Sequence, residues 1–325
     1  MATALASLLS LPTVVLASHA TPIDALTRLQ GALGPEAPRV FMKRDDLLSF
    51  GMGGNKVRKL QTVIAEAVAA GADTLITCGG LQSNHARVTA AAGAALGLQV
   101  VLVVNGAPQA QPTGNALLDR LFGATIHYVA TRGERAPMMD TLAADLHAAG
   151  RRPVVVPLGA STATGALGFA RGVAELAAAG LKPDLIVHAS SSGGTQAGLI
   201  AGCALFGLRA RVLGVSADEP APSLERIVEN LLGQMAERLG AAPTTVGADQ
   251  RVEIDDAFVG GGYGVATPAS TEALEIVARR EGILLDPVYT AKAMAALLAR
   301  IRAGQFERHQ TILFWHTGGQ VGVFA

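Results

Sequence analysis

Short apolar segments alternate with helical patterns along most of this chain, and nothing else in it constrains the fold so tightly. From residue 55 a helical stripe at Leu60, Val63, Ile64 and Ala67 runs toward Gly71. "TLITC" (74–78) then reads as a buried strand, "SNHARVTAAAGAALG" as a helix, "QVVLVV" as a strand, "GNALLDRLFG" as a helix and "TIHYV" as a strand. A helix near 136–149 leads into "PVVVP". The Gly-rich stretch "GASTATGALG" (159–168) reads as a linker or hinge. Beyond it the alternation resumes: helix 168–179, strand "LIVHA", a helix from Gly194, strand "RVLGVSA" and helix 221–239. Helices near 270–281 and 290–303 and a closing strand "TILFWHT" complete the chain. Such alternation implies parallel sheets covered by helices on both faces. The expected class is α/β, with two doubly wound three-layer domains and a ligand cleft at the C-terminal ends of the strands. Residues 1–54 with 165–325 are expected to form the larger domain, and 55–164 the smaller.

Composition narrows the function. Half of the 325 residues are hydrophobic and 16% are charged, the balance of a compact globular chain. Net charge is zero and the aromatic share is 4%, so neither a basic field nor stacking platforms point to nucleic acid. Cys78 and Cys203 stand in no metal-ligand spacing. No metal is expected, and reduced thiols fit better than a disulfide. "ALASLLSLPTVVLASHA" resembles a signal peptide, but it lacks a positive start and Pro12 interrupts it. A cytoplasmic location is expected. No later segment reaches the roughly 18 uninterrupted apolar residues of a membrane span, so no membrane partner is expected.

Several loops carry possible chemistry. "HASSSGGTQAGL" (188–199) follows a strand and opens a helix, and Ser191, Ser192, Gly193, Gly194 and Thr195 offer hydroxyls and N–H groups there. It reads two ways: an anion cradle suited to phosphate, or a tight turn with a Ser N-cap. "CGGLQSNHARV" (78–88) has the same form, with Ser83 or Asn84 as N-cap or as part of a carboxylate cradle. Tyr263 in "GGGYGV", Tyr289 in "DPVYT" and Thr317 in "HTGGQ" also occupy turn contexts. Lys56 stands in the first turn of a helix behind the glycines of "GMGGNKVRKL". A cation is unfavourable there. On helix rules alone it is a solvated side chain. The other reading is a desolvated, uncharged amine able to form a Schiff base with a phosphate-bearing aldehyde, pyridoxal 5′-phosphate.

"KRDDLLSFGMGGNKVRKL", "GGLQSNHARVTAA", "GALGF", "SSSGGTQAGL", "GYGV", "GILLDPVYTAKAM" and "HTGG" resemble, in order, the D-cysteine desulfhydrase and 1-aminocyclopropane-1-carboxylate (ACC) deaminase family. The resemblance implies a tryptophan-synthase-β-type PLP fold (fold type II), a PLP cofactor and a homodimer. It implies that Lys56 is the Schiff-base lysine and that Asn84 faces the cofactor's ring hydroxyl. Lys59 and the 191–195 loop would hold the phosphate. Gln82, Ser83, Asn84 and His85 would lie by the substrate carboxylate, with Tyr263 and Tyr289 facing the substrate. The deaminase pattern carries Glu and Gln where this chain has Thr290 and His85. A hydroxyl from Thr290 or Thr317 would leave the ring nitrogen neutral, sufficient when the β-substituent leaves readily. The expected reaction is α,β-elimination from a small amino acid to pyruvate and ammonia, with D-cysteine as first substrate. L-cysteate and ACC are alternatives, and a non-catalytic PLP-binding protein is the alternative of another class. No cationic pocket for a sulfonate can be identified in the sequence.

Overall fold

The apolar segments assemble into two separate sheets. The computed structural model describes residues 1–325. In chain order its elements are α1 (Ala2–Ser10), β1 (Ile23–Ala25), α2 (Thr27–Leu33), β2 (Arg39–Arg44), α3 (Asn55–Ala69), β3 (Thr74–Gly80), α4 (Asn84–Leu96), β4 (Gln99–Asn105), α5 (Gly114–Leu121), β5 (Thr125–Val129), α6 (Arg135–Ala148) and β6 (Pro153–Val155). There follow α7 (Ala163–Ala170), α8 (Val173–Ala178), β7 (Leu185–Ser190), α9 (Gly194–Leu205), β8 (Arg211–Ser216), α10 (Ala221–Leu239), β9 (Glu253–Asp255), α11 (Pro268–Glu281), α12 (Thr290–Arg302) and β10 (Thr311–His316). Strands β5-β4-β3-β6 form a four-stranded parallel sheet. The six-stranded sheet runs β1-β2-β10-β7-β8-β9 and is parallel except for the edge strand β1.

Side chains alternate across each sheet with period two, and both faces are buried. In β10, Leu313 and Trp315 enter one core with α7, α9 and α10, while Ile312 and Phe314 enter another with α11 and α12. In the smaller sheet Leu75 and Leu102 pack toward α3 and α4, while Ile76 and Val101 pack toward Met139 of α6. Each sheet is therefore the middle of three layers, the arrangement that unbroken apolar strands require.

One sequence expectation needs correction. The 159–168 stretch is no linker. Residues from Ala163 form α7, whose Ala166, Leu167 and Phe169 are fully buried, and Thr162 caps it by accepting from Gly165 N. Its small residues serve close helix packing: a Cβ on Gly168 would lie 2.4 Å from Thr62 Oγ1 of α3. The predicted helix 168–179 is accordingly the end of α7 followed by α8. The N-terminal apolar stretch is also integral, since α1 buries Ala4 and Leu8 in the α10 core. Full burial of Leu8 contributes roughly 2 kcal/mol. No helix is long and apolar enough to cross a membrane.

Candidate active site

The C-terminal ends of β3, β7 and β8 point toward a cleft of about 620 Å³ between the two sheets. Of the residues singled out in the sequence, Lys56, Ser83, Asn84, His85, Ser191, Ser192, Gly193, Thr195, Tyr263, Tyr289 and Thr317 line it. Gln82, Lys59, Gly194 and Thr290 do not.

Lys56 is the second residue of α3, behind Gly54, whose φ of +100° leads the chain into the helix. Its Nζ donates to Asn55 Oδ1 (3.2 Å), and Asn55 Nδ2 donates to Thr195 Oγ1 (2.8 Å). Its pKa is lowered to about 8, chiefly by burial and next by the nearby Arg87 cation, with Asp286 opposing the shift. The second cause is thus a buried guanidinium on α4, which the sequence reading missed.

At the start of α9, Gly193 has φ +75° and the helix's first N–H groups lack intrahelical partners. Ser192 Oγ meets Ser161 Oγ (2.8 Å), and Lys59 Nζ donates to Ser161 Oγ (3.1 Å) and to Gly159 O (3.3 Å). Lys59 therefore lies behind this loop. Burial and the neighbouring Lys56 hold its pKa well below the usual lysine range. Ser161, which lines the cleft, was hidden in the stretch taken for a linker.

Ser83 caps α4 by accepting from Ala86 N (3.2 Å). His85 is buried, and its ring Nε2 lies 2.8 Å from Thr77 Oγ1, whose proton goes to Val156 O (2.7 Å). His85 Nε2 is therefore the donor, and Nδ1 is left as an unprotonated acceptor without a partner. Burial, with Lys56 and Lys59 nearby, keeps the ring neutral. Gln82 turns away: its side chain accepts from Asn115 N (2.8 Å) and donates to Thr113 O (3.1 Å), fastening the loop to α5.

Tyr263 and Tyr289 pack edge to face with ring centroids 5.8 Å apart, and their hydroxyls hydrogen-bond each other. Burial raises both pKa values, so both phenols are neutral. Lys292 holds the Tyr263 loop by donating to Val259 O (2.7 Å) and Gly262 O (2.9 Å). Thr290 is removed from the cleft because its hydroxyl is spent on Asp286, donating to Oδ1 (2.7 Å) and accepting from the backbone N (2.8 Å). Thr317 is the hydroxyl that lines the cleft. Its backbone O accepts from Asn55 N (3.0 Å), which ties the "HTGG" turn to the Lys56 loop. The cations that could not be located from the sequence are present: Arg132 and Arg135 line the cleft. Arg132 reaches Asp218 Oδ2 (2.7 Å) and lies 4.8 Å from the Tyr263 ring centroid.

A family model described as pyridoxal-phosphate dependent enzyme matches residues 14–318. The chain belongs to the pyridoxal-phosphate-dependent enzyme family. A D-cysteine desulfhydrase of Salmonella newport (strain SL254) is 39% identical over 97% of this chain and 96% of its own length. The crystal structure of an ACC deaminase homologue superposes with a TM-score of 0.91 at 37% identity, covering 100% of this chain and 97% of the other. A threonine deaminase of Solanum lycopersicum shares the fold, with a TM-score of 0.70 at 16% identity over 97% of this chain and 83% of the other. This family member is a PLP-dependent lyase of fold type II, as expected from the sequence.

The residues present fit that cofactor. A helix N-terminus flanked by Ser191, Ser192 and Thr195 suits a phosphate. A Cβ at Gly194 would lie 2.8 Å from Ser161 Oγ and 2.9 Å from Lys59 Nζ, so this PLP enzyme needs glycine there. Ser190 Oγ and His85 Nδ1 are buried without partners, and both residues line the cleft. Such groups call for a polar occupant.

Proposed function

We propose that this chain catalyses α,β-elimination from a small β-substituted amino acid, releasing pyruvate and ammonia, with D-cysteine as substrate and sulfide as leaving group. The observation that carries this reading is the Lys56 amine, lowered in pKa to about 8 and set on the cleft wall. Lys56 would hold the aldehyde of pyridoxal phosphate, and the 191–195 loop, backed by Lys59 and Ser161, its phosphate. Asn84 would face the ring oxygen and Thr317 the ring nitrogen. Bound there, the cofactor supplies an electron sink that makes the substrate's α-proton acidic.

The protein's own groups do the rest. Ser83 and the N–H groups at the start of α4 receive the substrate carboxylate, at the positive end of the helix. The Lys56 Nζ, freed as an uncharged amine, takes the α-proton as general base, a role worth typically 10²–10⁴-fold. Tyr289 and Tyr263, neutral, sharing one hydrogen bond and lining the same cleft, would protonate the departing thiolate. The 39% identical desulfhydrase supports the substrate, as does Thr290 where the deaminase pattern has Glu, which leaves the neutral Thr317 hydroxyl lining the cleft.

One observation favours a second reading, L-cysteate with sulfite as leaving group. Arg132 and Arg135 give the cleft the cations that a sulfonate needs. Pyruvate release from D-cysteine, L-cysteate, ACC and D-serine decides between them. Turnover of D-cysteine at least about tenfold above the rest, on kcat/KM, is expected. A Lys56→Ala protein with undiminished pyruvate release would refute both. We also propose a homodimer, to be checked by light scattering.

A further inference from the structure

Arg87 lies on α4, three residues after Asn84, and is fully buried. Its Nη1 donates to Gly51 O and to Gly53 O (3.2 Å), its Nε to Asn115 Oδ1 (3.1 Å) and its Nη2 to Asn84 Oδ1 (3.3 Å). All four acceptors are neutral oxygens. Asp119 is the acidic neighbour, yet burial pushes its pKa up to about 7 and its Oδ1 has no partner. A buried cation on neutral acceptors is costly.

The guanidinium can only donate, so it makes both asparagines turn their oxygens toward it. Asn115, also fully buried, then has its NH₂ free for Gln82 O (2.9 Å) and Asn84 Oδ1 (2.8 Å). With its oxygen used twice, Asn84 keeps its NH₂ for the side where Gly319 and the cleft lie; a Cβ on Gly319 would come within 2.9 Å of Asn84 Nδ2. Amide orientation is ordinarily free to flip, and here an arginine decides it. The same guanidinium grips the carbonyls on either side of Met52, a non-glycine residue at φ +65°. That conformation is strained, and the turn leads directly to Gly54 and Lys56.

We propose that Arg87, acting with Asn115, is a positioning residue for the reaction: it locks the Asn84 amide as a hydrogen-bond donor to the cofactor ring and fixes the turn that sets Lys56. The inference rests on the reading of Asn84 given under the proposed function. The Arg87 charge has a second consequence, since it disfavours the Lys56 ammonium. The other groups around that amine are Lys59 on the same helix, the neutral His85 and His188, the opposing Asp286, the neutral Tyr263 and Tyr289, and the Arg132–Asp218 pair.

The test compares the wild-type holoenzyme with Arg87→Gln, Arg87→Lys and Asn115→Ala. Three quantities are read: PLP dissociation, the visible circular dichroism of the bound cofactor, and the pH profile of kcat. Arg87→Gln and Asn115→Ala should each loosen PLP by about tenfold or more and lower kcat with little change in KM. Arg87→Gln alone should move the acid limb of kcat to higher pH. Arg87→Lys should keep that limb but not restore PLP affinity, because an ammonium cannot fork between two amides. If Arg87→Gln fails to fold, Asn115→Ala carries the test. Asn115→Ala with PLP affinity, dichroism and kcat all within about twofold of wild type overturns the proposal, as does an unmoved acid limb in folded Arg87→Gln. Failure of the underlying reading looks different: wild type itself would then carry no PLP on Lys56.

Discussion

Arg132 and Asp218 meet across the mouth of the cleft, Nη1 to Oδ2 at 2.7 Å, the first following a strand of the smaller sheet and the second a strand of the larger. Arg132 also stacks on Tyr263, so one side chain links both sheets to the phenol pair. Exposed ion pairs of this kind contribute only ~0.2–1 kcal/mol. The pair can therefore open at little cost, and its effect should appear in substrate choice. Arg132→Ala is expected to raise KM for L-cysteate by about tenfold and to change KM for D-cysteine by less than about twofold. Equal KM changes for both substrates would remove Arg132 from sulfonate recognition.

The acidity of Lys56 gives a pH profile. With its pKa at about 8, the amine is mostly protonated below that pH and cannot act as a base. Burial is the main cause and the Arg87 cation the next. The value of kcat should rise about tenfold per pH unit below ~8 and level off above it. Stopped-flow measurement of α-proton abstraction with a deuterated substrate isolates this step. A flat profile between pH 6 and about 8 would show that another group is the base.

Much of this was legible in the residues. Apolar strands and the glycines that end them mark the sheets and the cleft rim, because burial on both faces leaves an unbroken apolar run. The odd place of Lys56 at a helix start raises the question, but helix rules alone favour a solvated side chain, and only the family resemblance gives it the Schiff-base role. What escaped shares one property: its partner is distant in sequence. Ser161 meets Ser192, Arg87 meets Gly51, and Arg132 meets Asp218, each across 31 or more positions. The α7 stretch was misread because small residues that permit tight helix packing look locally like a flexible linker. Thr290 is the exception: its partner Asp286 lies only four residues away, and the hydroxyl is spent on that carboxylate and on the Asp286 backbone N instead of facing the cleft.

Asp119 should make stability fall as pH rises. Burial lifts its folded pKa to about 7, with Arg87 offsetting part of the shift, while the unfolded value is ~3.9. Between those values the folded chain keeps a proton that the unfolded chain loses, so folding weakens as pH climbs from about 4 to 7 and is flat beyond. Asp119→Asn removes that dependence. Relative to wild type, the variant should gain stability across this window by an amount on the order of 2–4 kcal/mol, all of it in place above pH ~7. Urea unfolding at three pH values measures it, and parallel curves for the two proteins would show that Asp119 is ionised normally in the fold.

Arg58 joins the segments that set the position of α3. Its guanidinium donates to both Asp45 oxygens (2.8 and 2.7 Å) and to both Glu175 oxygens (2.6 and 3.0 Å). Lys43, fully buried, adds an ion pair to Glu175, and Trp315 Nε1 donates to Asp45 Oδ2 (2.8 Å). This cluster links β2, α3, α8 and β10, so it holds Lys56 and Lys59 in register. Removing Arg58 leaves the fully buried Asp45 carboxylate without its guanidinium partner, while Glu175 keeps Lys43. Arg58→Met should cost about 3–5 kcal/mol. Hydrogen bonds and charge from Arg58 and Lys43 outweigh burial and depress the Glu175 pKa. Its stabilising effect is therefore present above the unfolded carboxylate value and lost as pH falls through the depressed one. Arg58→Met should accordingly unfold with less dependence on acid pH than wild type. A loss below about 1 kcal/mol in urea unfolding at neutral pH would show that the cluster merely fills space, with α3 held by its apolar stripe alone.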